Sequence, residues 1–187
     1  MNWLRAIPIN GKFVFLIMVI LSCHIWAASV AARTYYVAET SVIGTGTQES
    51  PFATIQEAAD VVEAGDTVLL KGGIYVESVT LKASGTESHP IIFRPQPDTG
   101  KVILKNPAKE QMRTAVFDLK DVSFIRIEGF HFSDFEYGWA IVITSSQHDH
   151  TVLPHKAQGN VIRGNTFENL GIEILTEKIP GSNLPYG

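Results

Sequence analysis

The chain has 187 residues, of which 45% are hydrophobic and 18% are charged. This length suits one domain with a real hydrophobic core, and the apolar fraction is too high for a disordered chain. The formal net charge is −4 and no segment concentrates lysine and arginine, so the chain lacks the basic footprint that nucleic-acid binding needs. Cys23 is the only cysteine, which excludes an intramolecular disulfide.

The N-terminal segment has the order of charged, apolar and small residues that is typical of a secretory signal peptide. Arg5 and Lys12 precede the apolar run at residues 13–21, and small residues follow it at residues 27–32. The run is too short to span a bilayer, which takes about 20 residues. A buried N-terminal helix is the alternative, but no polar face alternates with the apolar one.

We therefore expect a signal peptide over residues 1–32 and an exported domain over residues 33–187. Residues 19–23 also resemble a bacterial lipobox, in which Cys23 would become lipidated after cleavage before it. Both interpretations remain open, and both place the mature protein outside the cytoplasm. It is expected to be secreted or periplasmic, or to contact the membrane only through its signal peptide or a lipid anchor.

One amphipathic helix is predicted over residues 54–63. Thr54 and Glu57 fit a capping box, in which each side chain satisfies a backbone N–H at the start of the helix. Gly65 supplies a stop. The apolar positions are spaced at i, i+3, i+4 and i+7, and they are Ile55, Ala58, Ala59 and Val62.

The rest of the mature chain consists of short β-branched and aromatic runs separated by glycine and proline. Such closely spaced strands predict an all-β fold, which is a sandwich, a barrel or a solenoid. The strands are predicted at residues 34–38, 67–71, 74–76, 79–81, 91–93, 102–104, 115–119 and 124–127.

Internal repetition favours the solenoid. Residues 127–132 and 162–167 share the pattern Ile-x-Gly-x-x-Phe, and residues 142–144 match residues 174–176 further along. A solenoid places equivalent residues at the same depth in successive coils. Ile127 should therefore stack on Ile162 and Phe132 on Phe167, with parallel strands near residues 125–127, 141–143, 161–163 and 173–175.

Five motifs carry a family resemblance, namely residues 35–37, 44–47, 51–59, 64–68 and 72–75. Together they resemble the N-terminal segment of secreted right-handed parallel β-helix proteins of the pectate-lyase-like superfamily. The resemblance extends to the alginate lyase and chondroitinase-B-like polysaccharide lyases and to related β-helix proteins of undefined function. The resemblance covers roughly residues 34–176. It implies that the predicted helix caps the first coil, that the ligand is acidic polysaccharide, and that Ca²⁺ acts in the full-length protein.

The sequence departs from this family after Thr176, where 11 residues with many turn formers follow and no closing cap is visible. We therefore expect the chain to hold the N-terminal coils of a longer β-helix, incomplete at its C-terminus. The catalytic residues of the family are expected in coils that the chain lacks. Residues 33–187 alone are accordingly predicted to be poorly soluble and to lack lyase activity.

Candidate substrate-binding residues follow from strand alternation. If Ile125 and Ile127 point inward, Arg126 and Glu128 point outward, and Arg163 occupies the position of Glu128 one coil later. A uronate lyase needs cations to neutralise the sugar carboxylate and a base to take the neighbouring proton. The alternative is a solvated face held by salt bridges.

Tyr137 and Trp139 are further candidates, because aromatic rings suit the apolar faces of sugars; packing at the edge of the core is the alternative. His148, His150 and His155 have metal-ligand chemistry, but they lie in a polar insertion with no element to fix their geometry, so no metal site is assigned.

Three asparagines, Asn160, Asn165 and Asn169, are predicted to serve turns and side-chain ladders. Residues 44–47 lack the Gly-Lys-Ser/Thr ending of a phosphate-binding loop, which excludes a nucleotide ligand of that kind. Ser145 and Ser146 lack the Gly-x-Ser-x-Gly pattern of a serine hydrolase.

Two functional hypotheses remain. The first is an extracytoplasmic β-helix that acts on or binds acidic polysaccharide, as part of a lyase that cleaves uronate-containing glycans by β-elimination. The second is a non-catalytic surface β-helix that binds carbohydrate or supports assembly. Outward Lys and Arg on adjacent coils, with acid-bound Ca²⁺, favour the first hypothesis, and outward Asn, Ser and Thr alone favour the second.

Overall fold

The computed structural model describes residues 31–39, 44–107, 114–135, 137–145 and 157–170. All of these except Ala31 belong to the unit Ala32–Gly187. In the described ranges the chain forms one short helix and twelve strands, which are β1 (Thr34–Val37), α1 (Ile55–Ala59), β2 (Thr67–Leu70), β3 (Gly73–Val76), β4 (Val79–Thr80), β5 (Ile91–Pro95), β6 (Val102–Lys105), β7 (Ala115–Asp118), β8 (Ile125–Glu128), β9 (His131–Phe135), β10 (Trp139–Val142), β11 (Val161–Arg163) and β12 (Thr166–Leu170).

The strands form three parallel sheets that the chain visits in turn. Sheet A has the order β1-β2-β5-β8-β11, sheet B the order β3-β6-β9-β12, and sheet C the order β4-β7-β10. Every pairing between these strands is parallel. Coil 1 contributes β1, coil 2 contributes β2–β4, coil 3 β5–β7, coil 4 β8–β10, and coil 5 β11 and β12. The predicted parallel β-helix is therefore confirmed, and the sandwich and barrel are excluded.

The repeated motif has the register that the sequence predicts. Ile162 pairs with Ile127, and Phe167 pairs with Phe132. The two phenylalanine rings stack with their centres 5.0 Å apart and their planes within 9°. Parallel pairing is confirmed at β8, β10 and β11, whereas the strand predicted near residues 173–175 lies outside the described residues.

The core is a set of stacked columns on the inner sides of the three sheets. Side chains at equivalent depth repeat from coil to coil, because a parallel register without shift carries each inward residue directly over the previous one. The fully buried members include Val68, Phe93 and Ile127 in sheet A, Leu104 and Phe132 in sheet B, and Val79 and Phe117 in sheet C.

Helix α1 closes the first coil. Thr54 and Glu57 form both halves of the predicted capping box, and the apolar stripe of the helix is buried. The helix contacts β1 and β4. The predicted cap is thus confirmed, and it keeps the first apolar layer away from water.

The helix is shorter than predicted, ending at Ala59 instead of residue 63. Beyond Asp60 the backbone tightens, with Val61 N donating to Ala58 O at 3.1 Å. The Asp66 carboxylate then accepts from Glu63 N and Arg33 N, both at 2.8 Å, which turns the chain toward β2. An apolar residue at position 62 stays buried in this turn, so periodicity alone could not separate the turn from a continuing helix.

Several predictions fall outside the described residues: residues 1–30 of the signal peptide with Cys23, the three histidines 148, 150 and 155, and the repeat block at 174–176. Among the described residues there is no helix of a length and hydrophobicity that would cross a membrane.

Candidate functional site

The outer side of sheet A carries the charged residues that strand alternation predicts. Ile125 and Ile127 are fully buried, whereas Arg126 between them and Glu128 after them are partly exposed. Arg163 lies beside Glu128 on the next coil, and its Nη2 donates to Glu128 Oε1 at 3.0 Å. The salt-bridged arrangement that was the alternative interpretation is therefore present for this pair.

Arg94 extends this set by one coil, and the sequence analysis missed it. It follows Phe93, which pairs with Ile127, and so reaches the level of Glu128 on the neighbouring strand. We call Arg94, Arg126, Glu128 and Arg163 the cationic face. Within the described residues neither Arg94 nor Arg126 forms an ion pair. Three guanidinium groups against one carboxylate give this face a positive charge, although the chain as a whole is acidic.

Tyr137 and Trp139 lie on a different side of the solenoid. Trp139 opens β10 in sheet C and pairs with Ala115, and Tyr137 is exposed in the turn before it. Gly138 between them has φ +83°, and a Cβ there would meet the Thr114 carbonyl oxygen at 2.3 Å. The structure thus brings together Arg126, Glu128 and Arg163, but it does not bring the two aromatic residues to them.

A second charged group on the outer side of sheet B was not predicted. Lys105 Nζ lies 2.8 Å from Asp134 Oδ2, and Asn169 Nδ2 donates to Asp134 Oδ1 at 3.1 Å. His131 Nε2 lies 3.0 Å from Glu168 Oε2. We call these five residues the sheet B cluster. They come from three coils, so no local motif marks them, although the spacing of the Ile-x-Gly-x-x-Phe repeat would have aligned Asp134 with Asn169.

The electrostatics of the sheet B cluster favour a structural role. The Lys105 ammonium and the Asn169 amide lower the pKa of Asp134 to about 2. The His131 side chain is buried, and its Nδ1 has no hydrogen-bond partner among the described residues. These contacts join coils 3, 4 and 5 at their surface.

The family resemblance implies Ca²⁺, which requires a group of oxygen ligands arranged around one point. Calcium takes six to eight oxygen ligands, largely from carboxylates and carbonyls. The described ranges contain no group of three or more His, Cys, Asp or Glu side chains arranged to hold a metal. The described residues therefore do not provide a ligand set that fits this ion.

Comparison with known protein families agrees with the architecture. A family model described as "Pel9A-like, right handed beta helix region" matches residues 35–178. The chain belongs to this family. Its three parallel sheets are accordingly those of a right-handed, pectate-lyase-like β-helix, as the resemblance implied.

Two curated proteins are similar over part of the chain. The uncharacterized protein YwoF of Bacillus subtilis is 34% identical over 90 residues, which is 48% of this chain and 19% of YwoF. The pectate lyase PEL9 of Emericella nidulans is 35% identical over 72 residues, which is 37% of this chain and 18% of PEL9. Each match thus spans about a fifth of its relative's length.

Solved structures share the fold at low sequence identity. A rhamnogalacturonan lyase aligns with a TM-score of 0.54 and 18% identity, covering 73% of this chain and 51% of the lyase. A GH136 lacto-N-biosidase from Eubacterium ramulus aligns with a TM-score of 0.52 and 12% identity, covering 86% of this chain and 30% of the enzyme. At these identities the similarity concerns the fold alone.

Proposed function

We propose that the protein acts on or binds acidic, uronate-containing polysaccharide outside the cytoplasm, as part of a polysaccharide lyase. The observation that carries this proposal is the family match over residues 35–178, and the partial identity to a pectate lyase supports it. The cationic face adds a physical reason. Outward arginines on adjacent coils of an acidic chain give a local surface that attracts a polyanion.

The cationic face suits the binding of a uronate chain. A guanidinium group presents a planar set of donors that matches a carboxylate, and neither Arg94 nor Arg126 is committed to an ion pair among the described residues. In β-elimination a base removes the proton from the carbon that bears the carboxylate, and the bond from the neighbouring ring carbon to the glycosidic oxygen breaks. That oxygen takes up a proton and leaves as a hydroxyl group, and an unsaturated uronate forms. Neutralising the carboxylate makes the proton on the carboxylate-bearing carbon easier to remove. We assign binding and charge neutralisation to the described coils, and we assign no residue as the base.

A non-catalytic carbohydrate-binding or structural β-helix is the second candidate. The Glu128–Arg163 pair and the sheet B cluster favour it, because their charged groups join one coil to the next. Turnover of polygalacturonate by this chain would exclude this candidate, because a non-catalytic β-helix binds the polymer without cleaving it.

The test combines binding and turnover on polygalacturonate with the purified full chain. Binding is followed by affinity electrophoresis, and turnover by the ultraviolet absorbance of the unsaturated product. We expect R94A and R126A each to weaken binding several-fold, with the wild-type affinity falling as salt rises. The control is K82A, which removes one positive charge at a side chain that is 77% exposed and pairs with Asp60 near α1. Absence of binding, or equal effects of all three variants, would refute the proposal.

Export is a separate part of the proposal. Expressed in a bacterium, the chain should lose its first 27 to 32 residues, or be cut before Cys23 and lipidated. N-terminal sequencing identifies the cleavage site, and sensitivity to globomycin identifies the lipoprotein route. A cytoplasmic product that retains Met1 would contradict both routes.

A further inference from the structure

A cleft of about 310 Å³ lies where the first strands of sheet A end. Tyr36 comes from β1, Lys71 directly follows β2, and Gln96 directly follows β5, so three adjacent coils contribute to it. Gln48, Pro51 and Thr99 also line the cleft. Its volume is within the range of small-molecule sites, which starts at about 300 Å³.

The backbone around the cleft is fixed by hydrogen bonds. Lys71 N donates to Val37 O at 2.8 Å, and Gln96 N donates to Leu70 O at 2.7 Å. The Tyr75 hydroxyl, buried beneath, donates to Lys71 O at 2.8 Å. The positions from which the lining side chains project are therefore set before any ligand arrives, and this lowers the entropic cost of binding.

The turns beside the cleft approach so closely that they require glycine. A Cβ on Gly72 would lie 2.1 Å from the Thr99 carbonyl oxygen. The Thr99 hydroxyl also accepts from Gly72 N at 2.9 Å and donates to Gln96 O at 2.9 Å. This packing joins the turn after β2 to the turn after β5 and holds the cleft in one shape.

The polar ends of the main lining side chains are uncommitted. Within the described part of the chain, the Tyr36 hydroxyl, the Lys71 ammonium and the Gln96 amide form no hydrogen bond or ion pair. The lining contains no acidic side chain. The cleft thus combines one aromatic ring, one cation and two side-chain amides. These groups have no hydrogen-bond partner among the described residues, so they are available to a polar ligand.

We propose that this cleft binds one hexuronate residue of an acidic polysaccharide. The Tyr36 ring faces the apolar side of the pyranose, Lys71 pairs with the carboxylate, and Gln48 and Gln96 bond the hydroxyl groups. This inference rests on the proposed function and names a binding position for it on coils 1–3.

The register of sheet A connects the cleft with the cationic face. Tyr36 pairs with Leu69, and Leu69 pairs with Arg94, so the three residues share one column of sheet A in which the middle residue, Leu69, is buried. Tyr36 in the cleft and Arg94 therefore lie on the same sheet, two coils apart.

The experiment uses galacturonate and galactose as probes, since the two sugars share a ring and differ in the carboxylate. Binding to the full chain is measured by calorimetry or NMR titration. We expect K71Q to weaken galacturonate binding about tenfold, which corresponds to about 1.4 kcal/mol, and to leave galactose unaffected. Y36A should weaken the binding of both sugars, because both share the ring that Tyr36 faces. The control is K101Q, which removes an exposed lysine outside the cleft lining, and circular dichroism verifies that each variant is folded.

Equal affinity for the two sugars, or an unchanged galacturonate affinity in K71Q, would overturn the cleft proposal. If R126A still weakens polygalacturonate binding in that case, the proposed function stands without the cleft. If galacturonate binds through Lys71 but the polymer neither binds nor turns over, the cleft stands and the proposed function fails.

Discussion

Single asparagine side chains complete the backbone hydrogen bonds of the preceding coil. Asn165 Nδ2 donates to Ile127 O and Asn165 Oδ1 accepts from Phe130 N, both at 2.8 Å. Asn160 makes the equivalent pair of bonds one turn earlier. An amide has a donor and an acceptor side by side, so it can satisfy both groups of a tight turn. The predicted turn role of these two asparagines is confirmed, and each joins the backbone of its own coil to that of the preceding coil.

Replacement of Asn165 should therefore lower the free energy of unfolding by more than its partial exposure suggests. In N165A two partly buried backbone groups lose their partner, and we expect the free energy of unfolding to fall by about 1–3 kcal/mol. N165D keeps an acceptor for Phe130 N but places an oxygen against the Ile127 carbonyl, so it should also destabilise. Denaturant unfolding measures the loss. The control Q158A truncates an exposed side chain, and a loss no larger than in this control would refute the role of Asn165 in joining the two coils.

At this scale the sequence predicted what alternation determines. Arg126 and Glu128 could be placed because they alternate with apolar residues along β8, and Arg163 could be placed because the repeat aligns it with Glu128. Lys105 and Glu168 could not, since a charged residue on an outer strand face leaves no pattern that reveals its partner in another coil.

Strands β9 and β12 contain the same irregularity one coil apart. Asp134 has φ 56° and Asn169 has φ 50°, the left-handed region that Asp and Asn tolerate better than most residues. In β9, Asp134 interrupts the alternation of inward and outward side chains. Phe132 and Phe135 are therefore both buried although they are three positions apart. The break in alternation explains why the sequence analysis gave no strand bounds for β9 and β12, whereas the regular strands were found within about two residues.

The contacts of Asp134 should make the stability of the protein depend on pH. Lys105 and Asn169 lower its folded pKa from 3.8 to about 2, so the folded state favours the carboxylate. The stabilisation is fully present above pH 3.8, and it is lost as the pH falls through about 2. We expect D134N, which tolerates the same φ, to lose less thermal stability than the wild type over this range.

The matched control for this prediction is D98N. Asp98 is exposed and also has a positive φ of 59°, but no salt bridge holds it among the described residues. Melting temperatures followed by circular dichroism in steps of pH give the comparison. If D134N and D98N have the same profile as the wild type, the Lys105–Asp134 contact does not stabilise the solenoid.

Across the whole molecule, each coil buries its apolar layer against the next one. Two copies of a short motif were enough to predict this stacking. A solenoid repeats the same register from coil to coil, so one pair of aligned residues determines how the coils stack. The positions that are fully buried in coil 4 are much less covered in coil 5, where Ile162 is 38% exposed and Phe167 is 46% exposed. Among the described strands, none pairs with the outer edges of β11 and β12.

This gradient predicts different costs for the same substitution in adjacent coils. F132A removes a fully buried ring and should lower the free energy of unfolding by about 3–5 kcal/mol. F167A should cost clearly less, because nearly half of that ring already contacts water. F167K should also reduce self-association in sedimentation experiments, since it places a charge at an exposed apolar position on a coil that no other described strand covers. Equal losses in F132A and F167A would mean that Phe167 is as well covered in solution as Phe132, and unchanged self-association in F167K would mean that another surface causes it.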